Sequence, residues 1–311
     1  MSGAANLVSL NLRAVWGRAY VRIVGANREP SWIFFDGLLP LLGIAAYVFI
    51  YEGFLQGAIA AIVSDPALTE AERQMAIDAA QRSVNALVGF VVLGGVMIAF
   101  WLNVLWSMAS QLYWEKEIGN LQLYMIAPMS RMSLLAGMAV GGIFMTSVRA
   151  VVTLVAGVYV FGVHFDLGDP FMILAVFFAT LISLYGMGMM FASLYLLWGR
   201  EAWHLSALLE EPIFLVSGFY FPVGAFNSPT IGSWGRVVAI GASIIPATLG
   251  LDALRQVLFP DFALQFQFLP PQTELLVLLV LCVVFLILAR LSLGYLEFLA
   301  RREGRLTSRH Q

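Results

Sequence analysis

Few residues in this chain are of the kinds that carry chemistry, and their placement excludes most of it. The single lysine, Lys116, is followed by Glu117 and stands in no GxxxxGK[ST] loop. The chain therefore lacks the backbone cradle and lysine that hold nucleotide phosphates. His164, His204 and His310 are far apart in sequence, and one cysteine, Cys282, lies in an apolar run. Neither a metal-ligand cluster nor a disulfide framework results. His164, Asp166 and Asp169 share the turn HFDLGDP, the one grouping a membrane-embedded lipid-processing centre would have; a solvated turn has the same composition. Arg149 lies deep within an apolar segment, where a lone arginine costs roughly 2.5–3.5 kcal/mol, so it must face protein or a water-filled cavity. Two readings of it stay open: a structural ion pair or snorkelling side chain, with Asp36 and Glu52 as partners, or a polar point on a substrate path.

The elements that position these residues are apolar spans. Hydrophobic residues make up 60% of the 311 and charged residues 12%, against roughly 25% charged in soluble domains. Several runs exceed the ~20 residues that cross a bilayer as helix. The sequence predicts an all-α integral membrane protein with six transmembrane helices, at about 32–54, within 84–110, within 132–163, at 171–198, at 203–222 and at 271–295. Residues 1–31 interleave Arg13, Arg18, Arg22 and Arg28 with apolar residues, the pattern of an amphipathic helix in a membrane interface. No cleavable signal precedes the first run. The six-helix domain then spans 32–295, and 296–311 form a basic tail. Residues 56–83 read as a polar, weakly helical loop.

Six spans put both termini on one face. That face holds Arg13, Arg18, Arg22, Arg28, Lys116, Arg131, Arg200, Arg301, Arg302, Arg305 and Arg309; the other holds Arg73, Arg82, Arg236 and Arg255. Eleven against four places the termini, and the stretch 111–131, in the cytoplasm.

Residues 111–131, QLYWEKEIGNLQLYMIAPMSR, lie between the second and third spans. Ile118, Leu121, Tyr124 and Met125 recur at helical spacing until Pro128 ends the pattern. A short amphipathic helix at the membrane surface and a solvated loop are both compatible with that spacing. SGFYFP (217–222) sets Phe219, Tyr220 and Phe221 between Gly218 and Pro222 at the outer end of the fifth span. Such rings are either an interfacial belt or a constriction on a path. The Gly- and Pro-rich 223–270 stretch predicts broken helices that dip back, tolerated only where protein buries the backbone.

Three segments together resemble the membrane subunits of type-2 ABC exporters. WEKEIGNLQLYMIAPMSR resembles the family's coupling helix through Glu115, Gly119, Leu121, Met125, Pro128, Ser130 and Arg131, with Asn120 and Gln122 replacing the usual Thr and Glu. SGFYFPVGAF resembles its outer signature through Ser217, Gly218, Phe221 and Pro222. IIPATLGLDALRQVLF resembles a third segment through Pro246, Ala253, Leu254 and Arg255. The resemblance implies a non-catalytic permease subunit in a bacterial inner membrane, paired with a second identical or paralogous permease. It also implies a cytoplasmic ATP-binding ABC subunit that binds ATP and Mg. Glu115, Glu117, Ile118, Gly119, Leu121, Met125 and Pro128 would couple to that ATPase. Arg149, Phe219, Tyr220, Phe221 and Pro222 would line the substrate path, for a lipophilic, glycolipid, polysaccharide or peptide cargo. The rival readings are an ion-coupled secondary transporter, which needs carboxylates near the midplane, and the lipid-processing enzyme above.

Overall fold

The computed structural model describes residues 2–28, 30–198, 201–227 and 232–302. Among them no strand occurs, and helices follow one another throughout. The long ones are α1 (Ser2–Asn27), α2 (Pro30–Ser64), α3 (Glu70–Leu102), α6 (Arg131–Tyr159), α7 (Pro170–Trp198) and α12 (Pro271–Arg302). Short helices connect them: α4 (Gln111–Glu117), α5 (Asn120–Ile126), α8 (Ala202–Val216), α9 (Ser233–Ala242), α10 (Pro246–Leu258) and α11 (Pro260–Ala263). A π-helical stretch, Asn103–Met108, joins α3 to α4.

Among the described residues five helices are long and apolar enough to cross a membrane, and six if α9 and α10 count together as one span bent by 103°. This bent pair is the broken element expected between 223 and 270. The fifth span, expected at about 203–222 as a short one broken by Pro212, Gly218 and Pro222, is the short helix α8 with Pro212 inside it. α8 has 15 residues, about 22 Å at 1.5 Å per residue and short of a ~30 Å hydrocarbon core, and the residues after it turn back into the protein.

The other departures have local causes. Residues 56–83 are helix rather than a polar loop, apart from the turn at 65–69. Thr69 starts α3 with a capping box: its hydroxyl accepts from Glu72 N at 3.4 Å while Glu72 Oε2 accepts from Thr69 N at 2.9 Å. The polar residues of this region are good helix formers, so hydropathy alone misplaced the helix ends. The single helix expected over 111–131 is two. Gly119 sits at φ 84°, the left-handed region that favours glycine, and breaks the path between α4 and α5. Ser130 then caps α6 by accepting from Ser133 N at 3.1 Å. α12 continues helically through the start of the expected basic tail to Arg302, and Arg305 and Arg309 lie outside the described residues.

The core runs along α3, α6, α7, α10 and α12. α7 and α12 share the most extensive interface, pinned by Ser183 Oγ donating to Leu278 O at 3.0 Å and Cys282 Sγ donating to Ala179 O at 3.3 Å. Cys282 is therefore a buried, bonded packing residue. α1 packs along α6, and the two ends of the bundle differ. One end gathers α1, α4, α5, the start of α6 and the end of α12. There Asn11 Oδ1 accepts from Ser130 N at 2.8 Å, and Arg131 pairs with Glu297 at 2.9 Å. The opposite end holds the 65–69 turn, the 160–169 connection and α11, where Asp166 N donates to Leu258 O at 3.0 Å.

Candidate functional site

Two places in the bundle collect the residues singled out by the sequence. The first is the α4–α5 elbow. Leu121 is only 2% exposed and belongs to the main core. Tyr124 packs against that core, and the Met125 side chain lies outside the described residues. Glu115 and Lys116 are buried as well. Arg18 of α1 forms a close ion pair with Glu115 Oε1, and Asn120 Nδ2 donates to Glu115 Oε2 at 3.1 Å. Gly119 forms the hinge, Pro128 is exposed in the extended 127–130 link, and Glu117 is half-buried.

The outward face of the elbow is a different set. Ile118 is 62% exposed, Leu123 62% and Ile126 81%, with Trp114 beside them against Trp203. A continuous helical register through Gly119 leaves Leu123 and Ile126 off the apolar face. Breaking the helix there changes which residues face out. The expected signal was the glycine itself.

The Arg18–Glu115 pair ties the elbow to α1, and Arg22 reinforces the tie. Arg22 donates to Gln111 Oε1 at 2.6 Å and makes a close hydrogen bond to Ser107 Oγ. These contacts bridge α1 to the π-helical stretch, which holds Ser107, and to the start of α4, which holds Gln111. Reversing one charge, Arg18→Glu, is expected to loosen this end and cut recovery of monodisperse protein in detergent. The double swap Arg18→Glu with Glu115→Arg should restore much of it. The coupling read from such a double-mutant cycle is expected at about 1–3 kcal/mol, because one partner is buried; a swap no better than the single change would show that the pair contributes no specific contact.

The second place lies within the bundle. The Ser217–Pro222 turn does not sit at a surface. Phe219 is fully buried, and its carbonyl lies so close to α3 that a Cβ added at Gly94 would stand 1.7 Å from it. Tyr220 stacks on Tyr47 of α2 with centroids 4.4 Å apart, and Phe221 meets Phe226 edge-on at 5.4 Å. Pro222 is buried. Phe219 thus faces protein, which rules it out as a lipid-facing belt residue.

Arg255 of α10 holds this turn. Its guanidinium is buried and donates to the carbonyls of Gly218 (2.7 Å), Phe221 (3.1 Å), Phe90 (2.8 Å) and Phe219 (3.0 Å), over the Phe90 ring at 5.0 Å. Beside it, Gln256 Nε2 bridges Asp252 Oδ2 at 2.9 Å and Glu274 Oε2 at 3.3 Å, and also donates to Leu269 O at 2.8 Å. The buried acids Asp252 and Glu274 escaped sequence reasoning. Asp252 lies on α10, whose amphipathic pattern assigns its polar face to water, but the bent pair turns that face into the bundle, and Glu274 lies in the first turn of α12.

Arg149 is half-buried on α6 and engaged with its surroundings. Of its two expected partners, the Asp36 side chain lies outside the described residues, and Glu52 is exposed beside a polar cavity at the end opposite the elbow. Among the described residues no group of His, Cys, Asp and Glu is placed to hold a metal ion. His164 and Asp166 share the opposite end, while His204 lies on α8.

A model of the family described as ABC-2 type transporter matches residues 50–259. That range contains both the α4–α5 elbow and the turn gripped by Arg255. No curated protein matches the chain.

Proposed function

From the premise that this chain belongs to the ABC-2 type transporter family, as a multi-pass membrane permease that works with an ATP-binding ABC partner, we propose that it is the membrane subunit of an ATP-driven exporter. In this reading it moves a lipophilic, glycolipid or polysaccharide cargo out of the cytoplasm or the inner leaflet. ATP and Mg bind to the partner subunit, and two permeases, identical or paralogous, form the translocating pair. Glu117, Ile118, Gly119 and Pro128 stay at the elbow surface as coupling residues, joined by Leu123 and Ile126. Leu121 and Glu115 support the elbow from behind. Tyr220 and Phe221, half-buried on the turn, remain the aromatic candidates for the substrate path, with Arg149 as its polar point.

One observation carries the reading: the elbow presents exposed Ile118, Leu123 and Ile126 outside the apolar spans. Apolar side chains in that position are what a protein partner buries, and the centre of an interface carries most of its energy. The distribution of Arg and Lys supports an orientation with the elbow in the cytoplasm and the 65–69 turn outside. Cysteines placed at Ser64 and Ser308 in a Cys282→Ser background should react with an impermeant reagent from opposite faces of the membrane. Reaction of both from one face would overturn that orientation.

The transport step itself is tested with the permease co-reconstituted with its ATP-binding subunit in vesicles. Cargo movement should require ATP and Mg and should persist when a protonophore collapses the ion gradient. Movement that stops with the protonophore and ignores ATP would favour an ion-coupled carrier instead. Asp252 and Glu274 are the buried carboxyls such a carrier would use.

A further inference from the structure

At the end opposite the elbow, three cavities meet along the extended segment Val163–Asp166. An apolar groove of about 660 Å³ runs between α3, α6, α7 and α10, lined by Met97, Val155, Tyr159, Leu174, Phe177 and Leu254 among others. Two cavities with charged linings adjoin it. One, of about 330 Å³, is bordered by Arg82, His164, Asp166 and Asp261; the other, of about 790 Å³, by Arg82, His164, Asp78 and Glu52. His164 borders all three. Asn85 fixes its backbone, accepting from His164 N at 3.2 Å and donating to His164 O at 3.4 Å.

The shape of the combined space is that of an amphiphile. From Asn85 at the rim to Met97 in the groove, α3 rises about 18 Å at 1.5 Å per residue, close to one leaflet of a ~30 Å hydrocarbon core. The groove opens sideways past Val155, Tyr159 and Leu174, all well exposed on apolar spans, so what enters it comes from the bilayer. Its volume lies in the range of about 300–1,000 Å³ that small-molecule sites occupy. The rim has both signs: Arg82 can take a phosphate, and Asp166 and Asp261 can take an ammonium, with Asp78 and Glu52 behind them. A head with phosphate alone would face these acids uncompensated.

We propose that this site holds a phospholipid of the leaflet at that end, with one acyl chain in the α3–α6–α7–α10 groove and a phosphate-and-amine head on the Arg82–Asp261 rim. The assignment concerns lipid binding and stands whatever drives transport, so it fails or survives independently of the exporter reading. The purified full chain is reconstituted in phosphatidylglycerol nanodiscs with a trace of phosphatidylethanolamine bearing a diazirine on its acyl chain, and photolabelled peptides are mapped. Labels should concentrate on Val155–Tyr159 and Ile173–Phe177. Unlabelled phosphatidylethanolamine should compete about fivefold better than phosphatidylglycerol, as expected from one or two exposed charge contacts. Leu174→Trp fills the groove from an exposed position and should remove the concentrated labelling without changing the yield of folded protein. Asp166→Asn with Asp261→Asn should leave the labelling in place and abolish the preference for the amine head. Labelling spread equally over the lipid-facing positions Leu279, Val283 and Leu286 of α12 would overturn the site, as would disulfide cross-linking of two copies through Leu174→Cys. Equal competition by the two lipids would overturn the assignment of the head.

Discussion

Arg255→Leu should yield little folded protein, and what is recovered should unfold far below the wild-type temperature in the same detergent. The guanidinium satisfies carbonyls of Gly218, Phe219, Phe221 and Phe90, and buried Asp252 lies within its electrostatic reach. Leucine removes those donors and that charge. Each buried carbonyl that loses its partner costs about 1–3 kcal/mol, and even one such loss is a large part of the stability of an ordinary domain. Arg255→Lys keeps the charge but cannot fork to carbonyls on two elements, so it should fall between leucine and wild type. Arg236→Leu, on the exposed side of α9, is the control and should change the melting temperature little. A normal melting curve for Arg255→Leu would mean that the Ser217–Pro222 turn is held by packing alone.

The apolar character of the long helices was legible in the sequence because the bilayer imposes length and composition on every crossing segment. Their ends were not, since α2 and α3 extend into polar, helix-favouring sequence closed only by the Thr69 cap. The broken element between 223 and 270 was readable as broken from its Gly and Pro content, but not as bent by 103°. That bend decides everything about Asp252, Arg255 and Gln256. A helical-period pattern assigns polar residues to one face and says nothing about what covers that face. Here the bundle covers it, and the polar residues bond one another and the Ser217–Pro222 turn. The aromatic rings of that turn were legible as a group; their separate fates, with Phe219 buried and Tyr220 stacked on Tyr47, depend on α2 and α3, which are distant in sequence.

The elbow illustrates the same limit. Its position between two spans, its charges and its terminating proline mark it out in the sequence. Which of its apolar residues are available to a partner depends on one backbone angle at Gly119. A continuous helix would put Ile118, Leu121 and Met125 on one face. The break instead directs Leu121 into the permease and leaves Ile118, Leu123 and Ile126 outside.

Ile126→Asp is accordingly expected to give a permease that folds and inserts normally but no longer retains its ATP-binding partner. Ile126 is 81% exposed, and substitutions at such positions typically change stability by less than about 0.5 kcal/mol. Its place at the end of α5, outside the spans, means that the aspartate meets no hydrocarbon in the permease itself. In a complex, the same aspartate would be buried against the partner without a countercharge, and a central apolar contact of this kind carries about 2 kcal/mol or more, or more than tenfold in affinity. Co-purification of the ATP-binding subunit should fall by at least that factor, and ATP-driven transport should be lost with it. Leu121→Asp should behave differently. It puts a charge into the core that holds the elbow to the bundle, so the permease itself should be lost from the membrane fraction before any question of partner binding arises. The two variants together separate a binding surface from a structural one. If Ile126→Asp leaves co-purification and transport at wild-type levels, α5 is not the partner's contact, and the exposed residues of the elbow must be buried by something other than the ATPase.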